Sequence, residues 1–299
     1  MRDKNKMKRN KINSCKLAII KTLSYSGVFG YPLTFHQITN NLISKNKFPR
    51  KKIKKELENL VETNIVKKIK GKYIISEIKS HDVNKRKKNS QEIIDENKPF
   101  INVLTKIPWI KMIAITGSVA NYDAKREEDI DLLFITEKDR LWITRGFVFL
   151  MLKVMGKLPK KENERKICPN IFIDESRMAW AKKKRNLYVA QNIISIQPIV
   201  WRDDIYFNFI EENKWIFKYF NNFKINFPGK NSKKIRRKNF LFRNLESLAR
   251  KTQIAHMKNK ITTEVLNDRL IHFNKNDVSK EILRKYKRIL KKTIGAIDS

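Results

Sequence analysis

The sequence predicts a mixed α+β chain built of more than one globular piece, and three observations carry that reading. Apolar residues recur at helical spacing through the first quarter of the chain, which then closes on two short β runs around a glycine. Two apolar strand-like runs, Trp109–Thr116 and Ile130–Ile135, stand on either side of Gly117-Ser118 and a closely spaced pair of aspartates. With 299 residues, 41% of them hydrophobic, the chain has material for two or three cores, since single domains usually run about 100–200 residues.

Residues 1–12 form a basic tail without the sustained apolar stretch of a signal peptide. The spacing predicts a helix over Ser14–Ser24, with Leu17, Ile20 and Leu23 on one face, ended by Gly27, Gly30 and Pro32. Thr34 caps a second helix that carries Phe35, Ile38 and Leu42. Pro49 suits the first turn of a third, which sets Ile53, Leu57, Leu60 and Val61 against Lys51, Lys52, Lys54 and Lys55. Ile65–Ile69 and Tyr73–Ile75, joined through Lys70-Gly71-Lys72, read as a hairpin. Three helices followed by a two-stranded wing resemble a winged helix-turn-helix domain over residues 13–78. The resemblance implies that the third helix enters a major groove while the wing meets the backbone. Winged helices also serve as protein-interaction modules.

Residues 79–98 are dense in charge at first and read as a linker running into a helix, with Gln91–Lys106 helical. In residues 99–180, the strand over Trp109–Thr116 must end at Gly117, where the backbone can approach a ligand closely. A helix then starts, its amides facing an anion, and the Ser118 hydroxyl joins that cradle. On the next strand Asp129 and Asp131 lie two apart and so share a face, while Ile130 and Leu132 face the core. Two like charges there call for a cation.

Gly117-Ser118, the Asp129-Ile130-Asp131 pair and their apolar strands together resemble the polymerase β-like nucleotidyltransferase superfamily. The resemblance implies in-line displacement at the α-phosphate of a nucleoside triphosphate such as ATP, with pyrophosphate released. Gly117 and Ser118 would bind the nucleotide, and Asp129 and Asp131 would hold two Mg²⁺ ions, or Mn²⁺, about 3.5–4 Å apart. The superfamily's third carboxylate lies on a later strand. Here Lys166–Asp174 supplies the strand and Asp174 the carboxylate, with Glu175 as the alternative. Lys125 and Arg126 precede the aspartates in a loop, where cations are usually solvated. Trp142, Phe147, Phe149 and Leu150 read as the core face of the following helix.

Residues 181–299 read as a helical C-terminal region: amphipathic helices over Leu187–Phe223 with a turn near Pro198, then helices over Leu241–Lys260 and Ser279–Ile297. Between them lies a basic cluster of Lys230, Lys233, Lys234, Arg236, Arg237 and Lys238. The family resemblance implies that such a region helps to bind the acceptor.

The 67 Lys and Arg against 30 Asp and Glu leave a net charge of +37, which attracts polyanions. Nucleic acid, reached through the winged helix and the basic linkers, is the natural partner. Lys, Asn and Ile are abundant together, however, as base composition alone also produces. Cys15 and Cys168 sit in no metal-binding or disulfide pattern, and His36, His81, His256 and His272 show no ligand spacing. The most apolar stretch, Gly146–Leu152, falls far short of the about 20 residues that span a bilayer, so a cytoplasmic protein without a membrane partner is expected. Two functions follow: nucleotidyl transfer to a hydroxyl acceptor, or a winged-helix DNA-binding regulator whose nucleotidyltransferase-like domain is inactive or senses nucleotide.

Overall fold

The computed structural model describes residues 12–161, 163–225, 243–257, 265–266, 270–272 and 278–298. The N-terminal tail and the basic cluster at 230–238 lie outside them. In chain order, the first elements are α1 (Ser14–Gly27), β1 (Leu33–Thr34), α2 (Phe35–Asn40), α3 (Arg50–Glu62), β2 (Val66–Ile69) and β3 (Lys72–Ile75). There follow α4 (Val83–Leu104), β4 (Ile110–Thr116), α5 (Gly117–Ala120), β5 (Ile130–Thr136), α6 (Leu141–Val154) and β6 (Ile167–Asp174). The last are α7 (Leu187–Ile194), β7 (Gln197–Trp201), α8 (Ile205–Glu212), α9 (Arg243–Met257), β8 (Val265–Leu266), β9 (Leu270–His272) and α10 (Ser279–Asp298). The mixed α+β class holds, and the described residues divide into two compact units.

Unit 1 contains α1 to β3, Trp215–Ile225 and α10. Asn13 starts α1 by accepting hydrogen bonds from the backbone N–H groups of Cys15 and Lys16 at 3.0 and 2.9 Å. Thr34 and Gln37 form a reciprocal capping box at α2. In α3 the apolar face of Ile53, Leu57 and Leu60 is buried, while Lys51, Lys52, Lys54 and Lys55 are exposed. Lys70 and Gly71 both take positive φ, 47° and 76°, so the hairpin turns in the sense that matches strand twist. The short strand β1, which periodicity did not announce, adds to it as a three-stranded antiparallel sheet of order β1-β3-β2.

The boundary at residue 78 changes in the folded chain. Asn222 accepts from the Phe48 N–H at 2.9 Å and donates to its carbonyl at 2.8 Å, stitching Trp215–Ile225 to the N-terminal elements. Helix α10 packs on α1, with Tyr286 meeting Tyr25 edge to face at 5.8 Å. Burial pushes the Cys15 thiol at the start of α1 up to about 11, with the charge of Glu56 on α3 adding to the rise.

Among the described residues, unit 2 is built on a six-stranded sheet of order β7-β4-β5-β6-β9-β8 in which only β5 and β6 run parallel, linked by α6. One face carries Ile113, Ile115, Leu132, Phe134 and Phe172 against α4 and α6, with the Phe134 and Phe172 rings stacked at 4.8 Å. The region 181–299 is therefore not uniformly helical. The segment around Pro198 is β7, an edge strand, where the missing N–H of proline costs no ladder bond on the open side. In β6, interior to the sheet, Pro169 stands third in the strand, and among the described residues β9 pairs only with Ile171–Ile173 and leaves it clear.

Helix α4 begins at Val83, eight residues before Gln91, in a stretch without apolar period. Its polar residues serve the loop before β5 instead: Arg86 donates to the Asp123 carbonyl at 3.1 Å, and the buried Ser90 hydroxyl accepts from the Ala124 N–H at 3.0 Å. In α6, Trp142 is core as expected, but Phe147 and Leu150 are exposed. Among the described residues no helix is long and apolar enough to cross a membrane.

Candidate active site

Strand β4 ends at Thr116, which pairs with Asp131 on the antiparallel neighbour β5. This register places the Gly117 turn beside the Asp131 side chain. Gly117 has φ +71°, a left-handed conformation, and a Cβ built on it would lie 2.9 Å from Asp131 Oδ2. Two independent constraints thus demand glycine here: the backbone angle and the carboxylate against it. Gly117 is exposed and Ser118 half-buried, so the turn is accessible. Its shape is held from behind, because the Asn121 side chain donates to the Gly117 carbonyl at 2.9 Å and Gln197 of β7 donates to the Ala120 carbonyl.

The acidic residues occupy different environments. Asp131 faces the turn, and burial pushes its carboxyl up to about 7; a hydrogen bond with Cys168, its partner on β6, opposes the rise, and the charges of Asp129 and Glu128 add to it. Asp129 stands one residue before β5. Its Oδ1 accepts from the N–H groups of Glu164 and Lys166 at 3.0 and 2.9 Å, and its Oδ2 accepts from Asn163 at 3.0 Å. Much of its acceptor capacity is spent on the turn that leads into β6, where Asn163 and Arg165 adopt positive φ. Glu128, which no sequence pattern marked, accepts a hydrogen bond from the Ser118 hydroxyl.

Asp174 is the correction. It pairs with Thr136 at the far end of the β5–β6 ladder, whereas Asp131 pairs with Cys168 near its start. Five residues of strand at about 3.3 Å each put these positions roughly 17 Å apart. Asp174 is buried, with Oδ2 accepting from the Asp139 N–H at 2.7 Å and Oδ1 from the Ser176 N–H at 2.9 Å, so it ties two turns together. Glu175 lies at the same end, accepting from the Lys138 N–H at 3.1 Å with Lys111 at 3.9 Å. Both fail as a third carboxylate for the same reason: β6 runs parallel to β5, so its C-terminal end points away from the N-terminal end of β5. The position facing Asp131 belongs to Cys168. Just beyond it, Asn170 occupies a bulge in the ladder, with its buried Oδ1 lacking a hydrogen-bond partner among the described residues.

These residues fit a single ion more readily than a pair. Among the described residues no three His, Cys, Asp or Glu side chains converge to hold a metal. Mg²⁺ commonly needs only one or two carboxylates when phosphates complete its shell. Asp131 suits that task, with the unspent capacity of Asp129 beside it. Lys125 and Arg126 are exposed in the preceding loop, Arg126 paired with Glu127 at 3.4 Å. No protein-family model, no curated protein and no solved structure matches this chain.

Proposed function

We propose that unit 2 is a nucleotidyltransferase, moving a nucleoside monophosphate from a nucleoside triphosphate to a hydroxyl acceptor. The observation that carries the reading is the accessible left-handed Gly117 turn closed against the Asp131 carboxylate. The triphosphate lies along Gly117 and Ser118, and the Ser118 hydroxyl exchanges its bond to Glu128 for one to a phosphate oxygen. Mg²⁺ arriving with the triphosphate would be held by Asp131 and Asp129 and would neutralise phosphate charge. The acceptor oxygen attacks the α-phosphorus, the bond from that phosphorus to the bridging oxygen breaks, and pyrophosphate leaves. The hydroxyl proton passes to a carboxylate of the Glu128–Asp131 segment.

A second reading, a nucleic-acid-binding regulator whose unit 2 senses nucleotide without transferring it, is favoured by the engagement of Asp129 with three amides and by the remote Asp174. In that reading the exposed lysines of α3 and the hairpin of unit 1 contact DNA, as in winged helices. Incubation with each α-³²P nucleoside triphosphate and Mg²⁺ in cell extract separates the two. Labelling of a macromolecule or small molecule that disappears with Asp131→Asn supports transfer. Nucleotide binding without labelling supports the sensor, and absence of binding removes both nucleotide readings.

A further inference from the structure

We propose that the outward face of α10 is a docking surface for the phosphodiester backbone of a nucleic-acid duplex. Packing on α1 fixes which way this helix faces: Tyr286 is buried against Tyr25, and Leu290 and Ile297 join the core of unit 1. Lys280, Arg284, Lys287, Arg288 and Lys291 are left exposed. The last four recur at i, i+3, i+4 and i+7, one stripe of the helix. Among the described residues the nearby acidic groups are Glu281, paired with Lys285 at 2.6 Å and drawn more weakly to Arg284, and Glu77, paired with Lys292 at 2.9 Å. None of the five exposed cations has an ion-pair partner among the described residues.

From position 280 to 291 the stripe runs roughly 16 Å at about 1.5 Å per residue. Laid along a duplex, that length spans the axial rise of about four to five base steps at about 3.4 Å each, and so lies within reach of phosphates on the strand or strands it follows. Five like charges held on a rigid helix repel one another, and a row of phosphates relieves that repulsion. The two guanidinium groups add paired donors suited to phosphate oxygens. The surface needs no sequence reader, so it supplies backbone affinity in unit 1 whether or not unit 2 transfers nucleotides.

The test titrates the full chain against a short fluorescein-labelled duplex between about 50 and 200 mM salt. Reversing Arg284, Lys287, Arg288 and Lys291 to Glu is expected to lower affinity at least tenfold and to reduce the slope of log K against log salt by up to about 3.6, at about 0.9 for each of four lost phosphate contacts. A control reverses Lys153, Lys182, Lys183 and Lys251, exposed cations of unit 2, and so makes the same change in net charge. The control should retain most of the affinity. The same four α10 positions changed to Gln provide the comparison if the Glu variant melts early. An unchanged slope in the α10 variants, equal losses in the control, or equally tight binding of polyglutamate each overturns the proposal.

Discussion

A side chain at position 117 would set its Cβ 2.9 Å from Asp131 Oδ2, in a backbone conformation of φ +71° that L residues avoid. Gly117→Ala should therefore cost about 1–3 kcal/mol in urea unfolding and remove nucleotide binding. Part of that cost is the carboxylate itself. In an Asp131→Ala background the same substitution should cost less, leaving the backbone component alone, and a double-mutant cycle reads the difference. Strict additivity would show that the two residues do not press on each other.

Asp131 and Asp174 should separate function from stability. Asp131→Asn is expected to abolish nucleotidyl transfer while the protein stays folded. Asp174→Ala should leave nucleotide affinity unchanged but cost about 2 kcal/mol, because the Asp139 and Ser176 N–H groups lose a buried acceptor. A fluorescent nucleotide titration beside a denaturation curve measures both. Loss of binding in the Asp174 variant with stability intact would restore Asp174 to the site.

The N-terminus of α6 is capped from α9: Glu246 accepts from the Trp142 N–H at 2.7 Å and the Ile143 N–H at 2.9 Å. Burial holds this carboxyl above the ordinary glutamate value, opposed by those two hydrogen bonds and by Arg140. A raised folded-state value means that the native protein binds the proton more readily than the unfolded chain. The Glu246 contribution is thus fully present below the ordinary glutamate value and declines as pH rises through the raised native one. Wild type compared with Glu246→Gln at pH 4 to 8 should show a stability difference that shifts in favour of the Gln variant with rising pH. A flat difference would contradict the burial of this charge.

Helix α10 should be integral to unit 1 rather than an appendage. Tyr286→Ala is expected to cost about 3 kcal/mol as a large-to-small change in a packed site. Deleting residues 279–299 should expose the α1 face and raise dye binding to apolar surface. An unchanged melting temperature in both would refute the packing.

Much of unit 1 was legible because its signals are local. The Thr34 cap, the one-sided lysines of α3 and the Lys70-Gly71 turn each act within a few residues. The strands at Ile110–Thr116 and Ile130–Thr136 and the glycine between them were legible for the same reason. The start of α4 was not, because Arg86 and Ser90 are explained by a loop more than thirty residues away, and polar residues recruited that way leave no apolar period.

The sequence by itself marked the helices and hairpin of unit 1 and the two strands that flank Gly117 and Asp131, and the antiparallel register of β4 and β5 then brought those two residues together. Tertiary structure decided which carboxylates meet. The parallel pairing of β5 and β6 carried Asp174 away from Asp131 and brought Cys168 alongside, while the loop before β5 delivered Glu128 to Ser118. It also sent α10 back to α1 across nearly the whole chain. Strand direction and long-range packing depend on which apolar faces bury one another, and no local spacing encodes that choice.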